Sequence, residues 1–154
     1  MESHLSDASY PRREPDLKLA GLILWVWGRA YPDSEDYWDG NWLNIDARVE
    51  ANAAVVETNG ACLRSDEVSR FIEQLEKLYK NVQGTAELAC MEPNLSVKVA
   101  CDKLGQVEMI VDITPEHMTQ KHQFIFLIDQ SYLPEALNGC RKILERFPVK
   151  GTAG

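Results

Sequence analysis

The sequence predicts an α+β fold in two layers, a mainly antiparallel sheet of about seven strands with two helices on one face. Three observations carry that expectation: two helical stripes of identical spacing, period-two alternation in the segments around them, and the order βββαββββα. In the first stripe Val68, Phe71, Ile72, Leu75, Leu78, Tyr79 and Val82 fall at i, i+3, i+4, i+7, i+10, i+11 and i+14. In the second, Leu133, Ala136, Leu137, Cys140, Ile143, Leu144 and Phe147 repeat that spacing residue for residue. Each helix thus has one apolar face and one wet face, which suits packing on a sheet.

Taken in order, residues 17–29 read as one strand. Ile23, Trp25 and Trp27 point one way and Leu22, Leu24 and Val26 the other, so both faces are expected to be covered. Residues 32–39 form an acidic loop. Leu43, Ile45, Ala47, Val49 and Ala51 then alternate with Trp42, Asn44, Asp46, Arg48 and Glu50, separating a core face from a wet one. Asn59-Gly60 favours positive φ and predicts a short hairpin or a bulge. Ser65, followed by Asp66 and Glu67, is positioned to cap the first helix, and Gly84 to end it. The alternating sets Ala86/Leu88/Cys90, Leu95/Val97/Val99/Cys101 and Val107/Met109/Val111/Ile113 are strands, and Gly105 marks an antiparallel hairpin between the last two. Residues 124–128 form an apolar strand. The last helix runs from about Tyr132 to Phe147, with Pro134 in its first turn and Pro148 beyond its end. Residues 1–16 read as a flexible arm, 17–149 as one domain and 150–154 as a flexible tail.

A chain of 154 residues suits one core. Its net charge of −8 argues against direct nucleic-acid binding, which needs a basic surface. The acid is concentrated: from Tyr31 to Glu57 seven carboxylates face one base, Arg48, so this window carries −6 of the total. Such a patch would steer a basic partner, or it is a solvated face that aids solubility. Four dispersed cysteines without a C-x-x-C pair read as free thiols in a reducing cytoplasm. A polar N-terminus and an apolar run of only six residues, 22–27, predict neither a secretory signal nor a membrane span.

No catalytic motif emerges. There is no G-x-S-x-G, Walker loop or dinucleotide glycine fingerprint, and His4, His117 and His122 lack metal-ligand spacing. No cofactor or metal is expected. A carboxylate pair drawn from Asp39, Asp46 and Asp129 is the enzymatic alternative, although Asp129 or Ser131 equally serves as a helix cap. The run Tyr37-Trp38-Asp39-Gly40-Asn41-Trp42-Leu43 sets aromatics beside Asp33, Glu35 and Asp36. It is a hairpin loop whose tryptophans fold onto the core, or the centre of a recognition surface.

The same run resembles the opening motif of the bacterial WapI-type immunity proteins. Asp129-Gln130-Ser131-Tyr132-Leu133 and Phe147-Pro148-Val149 resemble their later motifs, so the likeness covers roughly residues 20 to 149. The resemblance implies a protein without catalytic activity that binds a nuclease-type toxin domain stoichiometrically and covers its active site. The expected partner is then a basic toxin domain. The expected contact residues are Asp33, Glu35, Asp36, Trp38, Asp39, Trp42, Asp46 and Glu50, with Trp38 or Trp42 as the anchor. The expected oligomeric state is monomer or homodimer, and a homo-oligomer paired through the Trp42 face is the remaining alternative.

Overall fold

The computed structural model describes residues 13–153; the N-terminal part of the expected arm, His4 included, and Gly154 lie outside that range. The order is β1 (Leu17–Leu19), β2 (Leu22–Arg29), α1 (Tyr37–Gly40), β3 (Trp42–Ala51), β4 (Ala54–Arg64), α2 (Ser65–Asn81), β5 (Gly84–Leu88), β6 (Leu95–Cys101), β7 (Gln106–Ile113), β8 (Gln123–Asp129) and α3 (Leu133–Arg146). A 3-10 turn over Gln130–Tyr132 leads into α3.

The class is α+β and the strands are antiparallel, as the sequence predicts, but they form two sheets. β1-β2-β3-β4 is one meander and β5-β6-β7-β8 the other. Hairpins close locally, whereas joining the meanders across α2 would need a crossover, and strand periodicity is silent on that choice. The eighth strand arises because residues 17–29 are interrupted. Ala20, at φ +51°, turns the chain so that Leu19 pairs with Leu22. The apolar run hides this turn, since both of its arms are apolar.

One core contains buried residues from both sheets and both long helices. Leu22, Leu24 and Val26 face it from β2, while Leu43, Ile45, Ala47 and Val49 face it from β3. The other side of β2 is covered from residues 13–16. Trp25 Nε1 donates to the Arg13 carbonyl (3.1 Å), the Val26 N–H donates to Asp16 Oδ2 (2.7 Å), and the Arg13 guanidinium lies 4.7 Å over Trp27. Trp27 is the extra residue of a bulge between Val26 and Gly28, which leaves it exposed.

Asn59-Gly60 is neither the hairpin turn nor the bulge: the pair stays in register with Asp46 and Ile45, and the bulge falls two residues on, at Cys62. Both residues lie inside β4, Gly60 has φ +115°, and the register shifts where Ala61 pairs with Asn44 and Leu63 with Leu43. The β3–β4 turn is Asn52-Ala53 instead, with Ala53 at φ +63°. Ser65 does not cap α2: its hydroxyl is buried without a partner among the described residues, and Glu67 Oε1 accepts the Arg64 N–H (2.9 Å). Nor does Gly84 end the helix. Val82 takes the left-handed position, at φ +53°, and Gly84 opens β5.

Two glycines mark where the layers close on one another. A Cβ on Gly21 would lie 2.2 Å from the Glu50 carbonyl oxygen and 2.7 Å from the Phe126 ring of β8. A Cβ on Gly139 would lie 2.6 Å from the Asp16 carbonyl oxygen, so α3 meets the β1 end of the first sheet backbone to backbone.

Candidate functional site: an acidic loop clamped on a buried arginine

The loop between β2 and β3 is organised from below by Arg64, the last residue of β4, whose side chain is fully buried. Its two terminal nitrogens donate to the Trp38 and Tyr37 carbonyls (2.7 Å each), and its Nε donates to Asp66 Oδ1 (2.9 Å). These carbonyls belong to the one-turn helix α1; the guanidinium gives the Trp38 carbonyl a donor and shares the Tyr37 carbonyl with Asn41 Nδ2. Tyr37, Trp38 and Trp42 surround the cation at 5.2, 5.7 and 4.9 Å, which adds aromatic faces to its partners.

Asp66 completes the charge balance. Its second oxygen accepts from the Tyr37 hydroxyl (2.8 Å) and from Arg70 (3.2 Å), and its place in the first turn of α2 suits the helix dipole. Neighbouring Glu67 is also buried, and accepts both the Arg64 N–H and the Met91 N–H (2.7 Å). Burial pushes its carboxyl above the usual range, which the two N–H donors oppose and the nearby Asp66 charge reinforces.

The native state therefore holds the Glu67 proton more tightly than the unfolded chain does. Its contribution to stability is fully present below the unfolded value, about 4.3, and declines as pH rises to the folded value. The unfolding free energy of the parent minus that of Glu67→Gln, followed by urea denaturation, is expected to fall as pH rises through that window. A difference that rises instead would reverse the assignment.

The far end of the chain locks the same loop. Asn41, fully buried, donates from Nδ2 to the carbonyls of Tyr37 (2.9 Å) and Lys150 (3.0 Å) and accepts the Lys150 N–H at Oδ1 (2.9 Å). Lys150 Nζ donates to the Ser34 carbonyl (2.9 Å), the Pro32 carbonyl (3.2 Å) and Glu35 (3.2 Å). Arg29 bridges the Gly40 carbonyl (2.7 Å) and the Pro148 carbonyl. Burial lowers the Arg29 pKa, and the Glu35 charge partly restores it. Gly40 and Gly151 leave no room for a side chain: a Cβ on the first would meet the Ser34 carbonyl oxygen at 2.7 Å, and on the second the Tyr37 nitrogen at 2.9 Å. The run 37–43 and the Phe147-Pro148-Val149 segment are thus two halves of one clamp.

The eight contact residues expected from sequence fall into two groups. Asp33, Glu35, Asp36, Trp38 and Asp39 are all exposed on the loop and α1, and Trp42 joins them through the shared guanidinium. Asp36 also caps α1, accepting from the Trp38 and Asp39 N–H groups (3.2 Å each). Trp38 is 53 % exposed, whereas Trp42 is half-buried with one ring face on Arg64. Asp46 and Glu50 lie farther along β3, where Glu50 is about 26 Å from Trp42 at the usual strand rise. There Arg48 offsets the acid, at 2.8 Å from Glu50 and 3.8 Å from Glu57. The alternation of β3 itself is as expected, with Leu43, Ile45, Ala47 and Val49 buried between less buried neighbours.

Arg64, Asp66, Asn41 and Lys150 are the residues that sequence reasoning missed. The available signal was an arginine closing an otherwise apolar strand end, Cys62-Leu63-Arg64, directly before a helix; its carbonyl partners lie 26 and 27 positions away.

Asp129 plays the capping role, accepting the Ser131 N–H (2.8 Å), and the Ser131 hydroxyl donates to it as well. These bonds hold its carboxyl below the usual range, the opposite of what a general acid requires. Burial pushes the Cys62 thiol up to about 11 and Cys140 to about 12, and all four thiols are free. Among the described residues no group of three or more His, Cys, Asp or Glu side chains is arranged to hold a metal ion. No helix among them is long and apolar enough to cross a membrane.

An exposed indole and four exposed carboxylates on a rigidly clamped loop have the make-up of an interaction module. Residues 16–148 match the model of the Immunity protein WapI-like family, and the chain belongs to that family. No curated protein and no solved structure matches it. The family's role is immunity, which implies a protein toxin as the partner.

Proposed function

We propose that this chain is a non-catalytic inhibitor that binds a basic, nuclease-type toxin domain one-to-one through the acidic loop and Trp38. The observation that supports this most directly is the exposed Trp38 ring, set among Asp33, Glu35, Asp36 and Asp39 on a backbone held by Arg64. A pre-ordered anchor loses little conformational freedom on binding, and surrounding carboxylates speed encounter with a basic groove. A domain that grips nucleic acid presents such a groove, because phosphate recognition requires one. Asp46 and Glu50 would extend the contact along β3, with Trp42 supporting Trp38 from behind.

The test is capture from the native organism's lysate with this protein as bait, followed by kinetics on the partner obtained. The expected catch is a basic toxin domain at one-to-one stoichiometry, lost at high salt. Trp38→Ala is then expected to weaken binding by about 1–3 kcal/mol, chiefly through the off-rate. Asp33→Asn and Asp39→Asn are expected to slow association and flatten its salt dependence. Unchanged affinity in all three variants would sink the proposed surface, and a nucleic-acid or small-molecule target would sink the function.

A further inference from the structure

The solvent face of the second sheet presents another, differently built surface. Its pairing aligns Lys98, Ile110 and Ile125 in one row, Ala100, Glu108 and Leu127 in the next, and Gln106 with Asp129 at the end. Leu127 is 80 % exposed and Ile125 58 %, on the same side of one strand. Between them and the β6–β7 turn runs a groove of about 630 Å³, lined by Ala100, Asp102, Glu108, Leu127 and Asp129 among others.

β8 is the terminal strand of its sheet, so alternate N–H and C=O groups along it point away from β7. Exposed edges are ordinarily blunted by lysine, proline or a bulge. The β8 sequence, Gln-Phe-Ile-Phe-Leu-Ile-Asp, has no cation and no proline, and its register with β7 is unbroken. The edge is open and apolar, and its rim is acidic. Lys98 is the only cation among the described strand residues of this face, against Glu87, Glu108, Asp112 and Asp129. A second copy of the chain would bring the same rim and a net charge of −8, which opposes self-pairing.

We propose that the outer face of β7 and β8 is a docking surface for an extended segment of a protein partner that carries apolar and basic side chains at every second position, all on one face. The segment adds as a strand to the free edge of β8. On that face its apolar side chains sit on Ile125 and Leu127, and a cation two positions further meets Asp129 and Glu108. This surface is independent of the acidic loop and does not rest on the toxin reading.

The experiment is an amide NMR titration of the full chain with a short synthetic peptide that carries valine, valine and lysine at every second position, with threonine between them. An otherwise identical peptide with glutamate for lysine serves as the control. The expected result is shifts concentrated on β8 from the lysine peptide alone, with binding weakened about tenfold or more in Glu108→Lys. Leu127→Ser, an exposed position where folding is not at stake, is expected to weaken it as well. N-methylation of alternate peptide amides should abolish binding if the contact is a strand pairing. Shifts confined to the acidic loop, indifference to both variants, or β8 shifts that track protein concentration without peptide would each overturn the proposal.

Discussion

Arg64→Ala is expected to destabilise the protein by about 3–5 kcal/mol, because it removes the buried partner of Asp66 and leaves that carboxylate only the Tyr37 hydroxyl and Arg70. Three acceptors lose a donor at once, the Tyr37 and Trp38 carbonyls and Asp66 Oδ1, while Asn41 Nδ2 still reaches the Tyr37 carbonyl. Three aromatic rings also lose the cation they surround. Arg64→Lys keeps the charge but not the planar fork, so it cannot reach both carbonyls and the carboxylate together, and it should fall between the two. Urea denaturation followed by circular dichroism measures the loss. Amide exchange over residues 33–41 shows whether the acidic loop loosens first. A loss below about 1 kcal/mol would mean that the clamp contributes little beyond ordinary burial.

Gly21→Ala should be nearly as damaging, at about 3 kcal/mol, by overpacking rather than by lost bonds. Backbone strain is not the cause: the positive φ of this turn belongs to Ala20, at +51°. The new methyl group would strike the Glu50 carbonyl oxygen, whose residue donates its own N–H to the Gly21 carbonyl (2.9 Å). That oxygen cannot withdraw without opening the link between the β1–β2 turn and β3. The ring of Phe126, from the second sheet, closes the other side. The substitution therefore forces apart the two sheets as well as the hairpin, and thermal unfolding should show one cooperative transition at a lower midpoint. A variant as stable as the parent would show that the two sheets have slack at this crossing.

The two tests bear on function differently. Loss of Arg64 acts on the shape of the loop that carries Trp38 and four acids, so binding should suffer even where the core survives. Gly21 lies at the junction of the two sheets, and its substitution should reduce the amount of folded protein without altering the recognition chemistry of what remains.

Legibility differed by element. The α2 and α3 stripes were readable because a helical face repeats within a single segment, and Leu75, Leu78, Leu133 and Ile143 are buried as their spacing requires. β3 was readable for the same local reason. The break at Ala20-Gly21 was not, since apolar residues flank it on both sides. The acidic, aromatic run 37–43 stood out in composition, but its supports did not. Asn41 and Lys150 lie 109 positions apart, and Arg64 finds Tyr37 and Trp38 across two strands.

By itself the sequence determined the α+β class, the faces of the helices and strands, the uneven acid and the family's motifs, because each is a property of neighbours along the chain. Only the tertiary structure decided that the strands part into two meanders, that a buried arginine holds the acidic loop, and that Trp38 rather than Trp42 stands free. Those depend on which distant segments meet once backbone acceptors must find donors away from water, and no local period encodes that choice.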